Sequence, residues 1–206
     1  ANAAAGETNE DQSVVIALSG NDIDGDNLTF SLDSDAANGS VSLDGSLATY
    51  TPNTDFNGND SFSFSVSDGE YFASADVTVS VAAVNDAPVL ASVSDVSFDE
   101  DGSTSISLSA DDVDNADLVF SVSGGINITA TLDGNSVLFS APDNYNGSES
   151  FTASVTDGEY TDSESFTVTV LAVNDAPTAN AAAGETNEDQ SVVIALTGND
   201  IDGDNL

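Results

Sequence analysis

Wherever this sequence turns, it sets oxygen-bearing side chains in short fixed arrangements. Glu10 and Asp11 stand together in "NED", Asp22, Asp24 and Asp26 in "DIDGD", Asp60 in "GND" and Asp68 in "SDGE". Asn85 and Asp86 follow in "VNDAP". A second set runs in the same order: Glu100 and Asp101, Asp112 and Asp114 in "DVD", Glu149, Asp157, then Asn174 and Asp175 in a second "VNDAP". Asp200 and Asp202 begin a third. Carboxylates and amide carbonyls are hard donors, and six to eight of them gathered at one place suit calcium; magnesium, which keeps its waters, is the second choice. A single "DxDGD" is an ordinary polar turn. The ordered recurrence of five acidic stations is what turns it toward metal. An EF-hand loop is rejected, because Asn27 stands at the sixth position, Asp33 at the twelfth, and strands flank the motif.

Composition removes most other chemistry. The 206 residues include 37 Asp and Glu and no Lys, Arg, His or Cys, a formal charge of −37. Phosphate contacts need cations, so nucleic acid and anionic membrane surfaces are excluded as partners. Without His or Cys there is no Ser-His-Asp triad, no thiol nucleophile and no thiolate or imidazole metal site. Paired carboxylates could suggest a glycosidase, but a small sandwich offers no deep cleft, and the chain reads as non-enzymatic. No apolar run is long enough to span a bilayer. With 39% hydrophobic residues in strand periodicity, the chain reads as folded, and its counter-charge has to be borrowed from outside.

The elements that must position these acids come from an internal repeat. Residues 1–28 return at 179–206 with one change, Ser19 to Thr197, an offset of 178. Halfway lies a divergent copy: Phe56–Tyr71 becomes Tyr145–Tyr160, 89 residues on. The expected domains are therefore 1–88 and 89–177, each a repeat with its linker, and 178–206, the opening part of a third. Alternation puts Val14, Ile16 and Leu18 on one face. Leu28, Phe30 and Leu32, then Phe62, Phe64 and Val66, then Val77, Val79 and Val81 follow. The second repeat answers with Ile106 and Leu108, Leu118, Phe120 and Val122, Phe151 and Val155, and Phe166, Val168 and Val170. Seven short strands in 89 residues, parted by Asp, Asn and Gly turns, predict an all-β fold of tandem immunoglobulin-like Greek-key sandwiches. Phe56 and Tyr145 are expected to plug the base of the sixth strand rather than to serve as sugar platforms.

In such a sandwich the first and fifth turns share one end and the second and sixth the other. Repeats in series would then bring Glu10, Asp11, Asp60, Asn85 and Asp86 to face Asp112, Asp114 and Asp157. The next junction would gather Glu100, Asp101, Glu149, Asn174, Asp175, Asp200 and Asp202. Asp22, Asp24, Asp26 and Asp68 form the acidic set at the opposite end of the first repeat. Pro88 and Pro177 stiffen the linkers and start the next strands.

This ordered set resembles cadherin repeats. It is more closely similar to the bacterial cadherin-like tandem repeats of giant surface adhesins and secreted polysaccharide-active proteins. The resemblance rests on Glu10, Asp60, "DID" and "DVD", Asp68 and Asp157, and "VNDAP", and it covers the whole chain. It departs where Ala follows Asn85-Asp86. It implies a cadherin-like linear rod of sandwiches, calcium as cofactor, and an extracellular place, secreted or on the cell surface. The function that follows is a calcium-rigidified extender in a long adhesin or surface fibre, whose partners are neighbouring repeats of the same chain. Two alternatives stand beside it: a glycan-binding accessory module, and a filament subunit that self-assembles by strand exchange through residues 178–206.

Overall fold

The computed structural model describes residues 1–203 and 205. It divides into two compact units, Ala1–Asp86 and the chain from Ala87 onward. Unit 1 contains seven strands: β1 (Ala4–Asn9), β2 (Val14–Ala17), β3 (Thr29–Ser34), β4 (Gly39–Asp44), β5 (Leu47–Pro52), β6 (Gly58–Ser67) and β7 (Phe72–Ala82). They form a four-stranded sheet, β1-β7-β6-β3, and a three-stranded sheet, β2-β5-β4. All pairings are antiparallel except β1 with β7, where Ala4–Asn9 run parallel to Val77–Ala82.

Alternation explains the core. Phe62, Phe64, Val66, Val77, Val79 and Val81 are buried as their period-two spacing predicts. They meet Ile16, Leu18, Ala48 and Tyr50 from the facing sheet. Leu28, Phe30 and Leu32 are only half-buried, because β3 is the edge of its sheet. The turn from β4 to β5 needs only Gly45 and Ser46, with Gly45 at φ 60. Gly6 admits a close approach: a Cβ there would lie 2.5 Å from Ile16 Cδ1.

Unit 2 repeats the plan with one departure. Its opening strand is split into β8 (Val89–Leu90) and β9 (Val96–Asp99), and its second is continued past β10 (Ser103–Ser107) by β11 (Ala110–Asp111). β8 pairs with β11, while β9 crosses to run parallel to the last long strand. The crossing is pinned by carboxylates: Asp162 accepts the Leu90 N–H and Glu164 the Val93 N–H, both at 2.8 Å. The remaining strands are β12 (Val119–Gly124), β13 (Thr129–Asp133), β14 (Ser136–Ser140), β15 (Gly147–Thr156) and β16 (Thr161–Leu171). Sheets β12-β15-β16-β9 and β10-β14-β13 enclose Phe139, Phe151 and Phe166, whose ring centroids lie 5.3 to 6.0 Å apart. Beyond β16 only β17 (Thr178–Ala179) and β18 (Gly198–Asn199) pair.

The described residues contain no helix, so no helix is long and apolar enough to cross a membrane. With no side-chain cation available, buried carboxylates are met by backbone N–H groups and hydroxyls.

Candidate metal centre

The linker end of unit 1 is built around Glu10, only 3% exposed at the end of β1. Its own N–H donates to the Ala82 carbonyl at 2.9 Å. One carboxylate oxygen accepts the Val84 N–H, and the other the Asn57 side-chain amide. The glutamate thus straps the start of the linker to the sandwich. Asp11 follows in the left-handed region, φ 57, and its Oδ1 accepts the N–H of Asp55, also at φ 57. Asp and Asn tolerate that conformation better than other side chains. The turn brings Asp11, Asp55 and Asp86 together, with one carboxylate oxygen from each inside a 4.8 Å span. Two unit charges at 4.8 Å repel by about 1 kcal/mol in water and about 3 kcal/mol at an effective dielectric of about 20. Such a grouping favours a cation.

The corresponding end of unit 2 uses the same parts. Glu100, 6% exposed, accepts the Val173 N–H at 2.6 Å and donates its own to the Leu171 carbonyl at 2.8 Å. Asp101, φ 60, accepts the N–H of Asn144, φ 57, at 2.9 Å. Glu100, Asp175 and Asp202 then share a 4.8 Å span. The Asp175 N–H donates to Asp202 Oδ2 at 2.6 Å, and Asp202 in turn donates its N–H to Asp200 Oδ1 at 3.1 Å. Asp175 Oδ2 is buried with no hydrogen-bond partner. Burial first, then the charges of Asp202, Asp101, Glu100 and Asp200, push its carboxyl above the ordinary range. An open hollow of about 560 Å³ beside it is lined by Asn144, Asp175, Asp200 and Ile201 among others. The two linker asparagines turn their amide nitrogens onto the next carbonyl, Asn85 to Asp86 at 3.1 Å and Asn174 to Asp175 at 2.9 Å.

At the opposite ends the acids sit in turns that hold one oxygen and leave the other. Asp22 Oδ1 accepts the N–H groups of Asp24, Gly25 and Asp26. Asp68 Oδ1 accepts those of Glu70 and Tyr71, both at 2.7 Å; the Tyr71 and Glu70 donors hold its carboxyl below the usual value. Asp22 and Asp68 line one small hollow, as the shared end of their turns requires. In unit 2, Asp112 Oδ1 accepts from Asp114 and Asn115, and its Oδ2 is buried without a hydrogen-bond partner. Asp157 Oδ1 accepts from Glu159 and Tyr160.

Asp60 and Glu149, expected beside the linkers, are engaged elsewhere. Asp60 accepts the N–H groups of Ala37, Asn38 and Ser61 and the Tyr50 hydroxyl, fastening the loop between β3 and β4. Burial alone would raise its carboxyl, but the donors from Asn38, Ser61, Tyr50 and Ala37 bring it below the usual range. Tyr50, buried and facing that carboxylate, is pushed up to about 12. Glu149 does the same work in unit 2 with Ile126, Asn127, Ile128 and the Tyr145 hydroxyl. Burial pushes it up, but three backbone donors carry it down to about 2. Asp55 was not among the residues singled out in the sequence. Its signal was there: it shares the station of Asn144, 89 residues on, in a turn that favours Asp or Asn.

The chain belongs to the bacterial Ig domain family, whose model matches residues 1–81 and 85–170. Among solved structures it is similar to the extracellular cadherin domains 1–5 of protocadherin gamma B2. That match has 15% identity and a TM-score of 0.58, over 97% of this chain and 45% of that one. It is similar too to Drosophila N-cadherin EC1-4, at 15% identity and TM-score 0.50 over 98% and 58% of the two chains. The endo-fucoidan hydrolase MfFcnA4 of glycoside hydrolase family 107 matches at 23% identity and TM-score 0.36, over 83% and 28%. This chain spans between 28% and 58% of the length of these three. No curated protein matches the sequence. Family and likeness together make the fold that of tandem Ig-like sandwiches.

Proposed function

We propose that the chain is a non-catalytic spacer of a long bacterial surface or secreted protein, stiffened at its linkers by calcium. The observation that carries this is Asp175, whose Oδ2 is buried without a hydrogen-bond partner among Glu100, Asp101, Asp200 and Asp202. No side chain of this sequence can neutralise that group. The donors are all hard oxygens, which fits calcium and neither zinc nor copper. In unit 2 the ligands would be Glu100, Asp101, Asn174, Asp175, Asp200 and Asp202. In unit 1 they would be Glu10, Asp11, Asp55, Asn85 and Asp86. Asp22, Asp24, Asp26 and Asp68, and Asp112, Asp114 and Asp157, would supply the opposite ends. Asp60 and Glu149 are left out of the ligand set, because protein donors already fill their oxygens.

When bound, calcium supplies charge neutralisation and nothing else. The chain's own residues strap the linker, hold the turns and present the oxygens. An ion that binds only the folded, aligned linker stabilises it by mass action. Calorimetric titration of metal-stripped protein tests this: saturable calcium binding is expected, and no binding heat at millimolar calcium contradicts it.

A second reading, a glycan-gripping module, has one observation in its favour. Tyr71 and Phe72 are 70% and 79% exposed side by side at the turn from β6 to β7. Loss of glycan-array binding on Y71A/F72A would support it.

A further inference from the structure

Residues 1–28 and 179–206 are one sequence apart from Ser19 and Thr197, yet they hold different structures. In unit 1, Ala4–Asn9 lie along β7 and Val14–Ala17 along β5. Ile16 and Leu18 are 5% and 4% exposed. The same side chains in the second segment, Ile194 and Leu196, are 42% and 84% exposed, and residues 182–187 and 192–195 take no strand pairing. What survives is local. The Asn180 N–H meets the Thr197 carbonyl at 2.9 Å, as Asn2 meets Ser19. Gly184 still crowds Ile194, as Gly6 crowds Ile16. Asp189 keeps φ 59, against 57 at Asp11. The second segment is a pre-shaped copy of the first, lacking only the strands to lie on.

We propose that residues 179–206 of one molecule take the place of residues 1–28 in unit 1 of a second copy of this chain. The β5 and β7 positions recognise the same residues in the same register whichever copy supplies them. The single difference is conservative: Thr197 Oγ1 accepts from Asn180 Nδ2 at 3.2 Å, as Ser19 Oγ accepts from Asn2 at 3.1 Å. Each strand pairing that opening breaks is therefore remade by exchange, and concentration decides the population. Exchange also gives a bias. Asp200 and Asp202 already meet the Asp175 linker. After exchange they would belong to a complete sandwich, so the 178-residue spacing would run from one molecule into the next. Head-to-tail fibres follow, and calcium at Asp175 should favour them. Only that calcium dependence rests on the function proposed above.

Disulfide trapping tests the exchange, since the chain has no cysteine of its own. Ala5 pairs with Thr78 across β1 and β7, and Ala183 is the residue 178 positions after Ala5. Full-length T78C and A183C chains, one of them isotope-labelled, are mixed and oxidised, with A5C/T78C in one chain as the internal control. Exchange gives a mixed-mass dimer at least fivefold above either same-mass dimer, rising with concentration and several-fold higher with I16A, which loosens the resident segment. A mixed dimer formed equally with calcium and with chelator keeps exchange and removes only its calcium bias. If the control closes while mixed and same-mass dimers form in statistical proportion, or none forms, the proposal is overturned.

Discussion

The linker ends of the two units are built from the same parts and differ at one corner. In both, a buried glutamate straps the linker and an aspartate in the left-handed region accepts an N–H across the turn. Unit 1 closes its cluster with Asp55, within its own sandwich; unit 2 has Asn144 at that station and draws Asp202 from the segment that follows the linker. A shared strap with an interchangeable fourth corner separates two tasks. Glu10 and Glu100 belong to the fold, and the aspartates around them to the ion.

The largest effect should come from removing the ion. With calcium at about one hundred times its Kd, a single site adds about 2.7 kcal/mol. That corresponds to about 10–20 °C in the midpoint of a domain of this size. Calorimetry with and without chelator reads it directly, and D175N should remove most of the shift in unit 2 while leaving that of unit 1.

Next come the straps. E10A and E100A each leave a linker N–H, that of Val84 or Val173, without its acceptor, which costs about 1–3 kcal/mol. The loss should persist under chelator and be alike in the two units. Chemical denaturation in chelator measures it, and a loss seen only with calcium would break the division of labour drawn above.

Acid separates the two carboxylate roles. Glu149 has a depressed carboxyl, so its stabilisation is full above the ordinary value of 4.5 and fades as pH falls toward about 2. E149Q should flatten that stretch of the stability curve. Asp175 has the opposite sign. Its raised carboxyl binds a proton more tightly when folded, so stability in chelator should fall as pH rises through its titration. D175N should abolish that fall.

The smallest change exchanges the differing corner. N144D adds an acid beside Asp175, and D55N removes one beside Asp86. Calcium affinity should rise severalfold in unit 2 and fall severalfold in unit 1, with folding in chelator little altered because both residues accept the left-handed turn. Titration calorimetry of the two variants measures the pair of shifts, and equal affinities would show that the corner does not touch the ion.

Much of the fold was legible because its longest strands alternate without interruption. Phe62 to Val66, Val77 to Val81 and Phe166 to Val170 bury where spacing puts them. Tyr50 and Phe139 were not singled out, although both are fully buried. They lie in β5 and β14, the middle strands of the smaller sheets, which the shorter alternations there did not mark. The split of the second repeat's first strand depends on pairings with β11 and β16 that no local pattern announces.

Among the acids, sequence order grouped Glu100, Asp101, Asp175, Asp200 and Asp202 at one place. It missed Asp55 and drew in Asp60 and Glu149, because a carboxylate that ligates an ion and one that caps a loop look alike until their donors are known. The duplicated segment marks the limit most sharply. The turn at Asp11 reappears at Asp189 because it is local, whereas Ile16 and Ile194 differ in burial because a strand needs a partner.

A crystal grown in millimolar calcium tests the central claim most directly. The account predicts anomalous density about 2.3–2.6 Å from carboxylate oxygens of Glu100, Asp175 and Asp202. Only water at those positions, with the Asp175 carboxylate turned out to solvent, would contradict it.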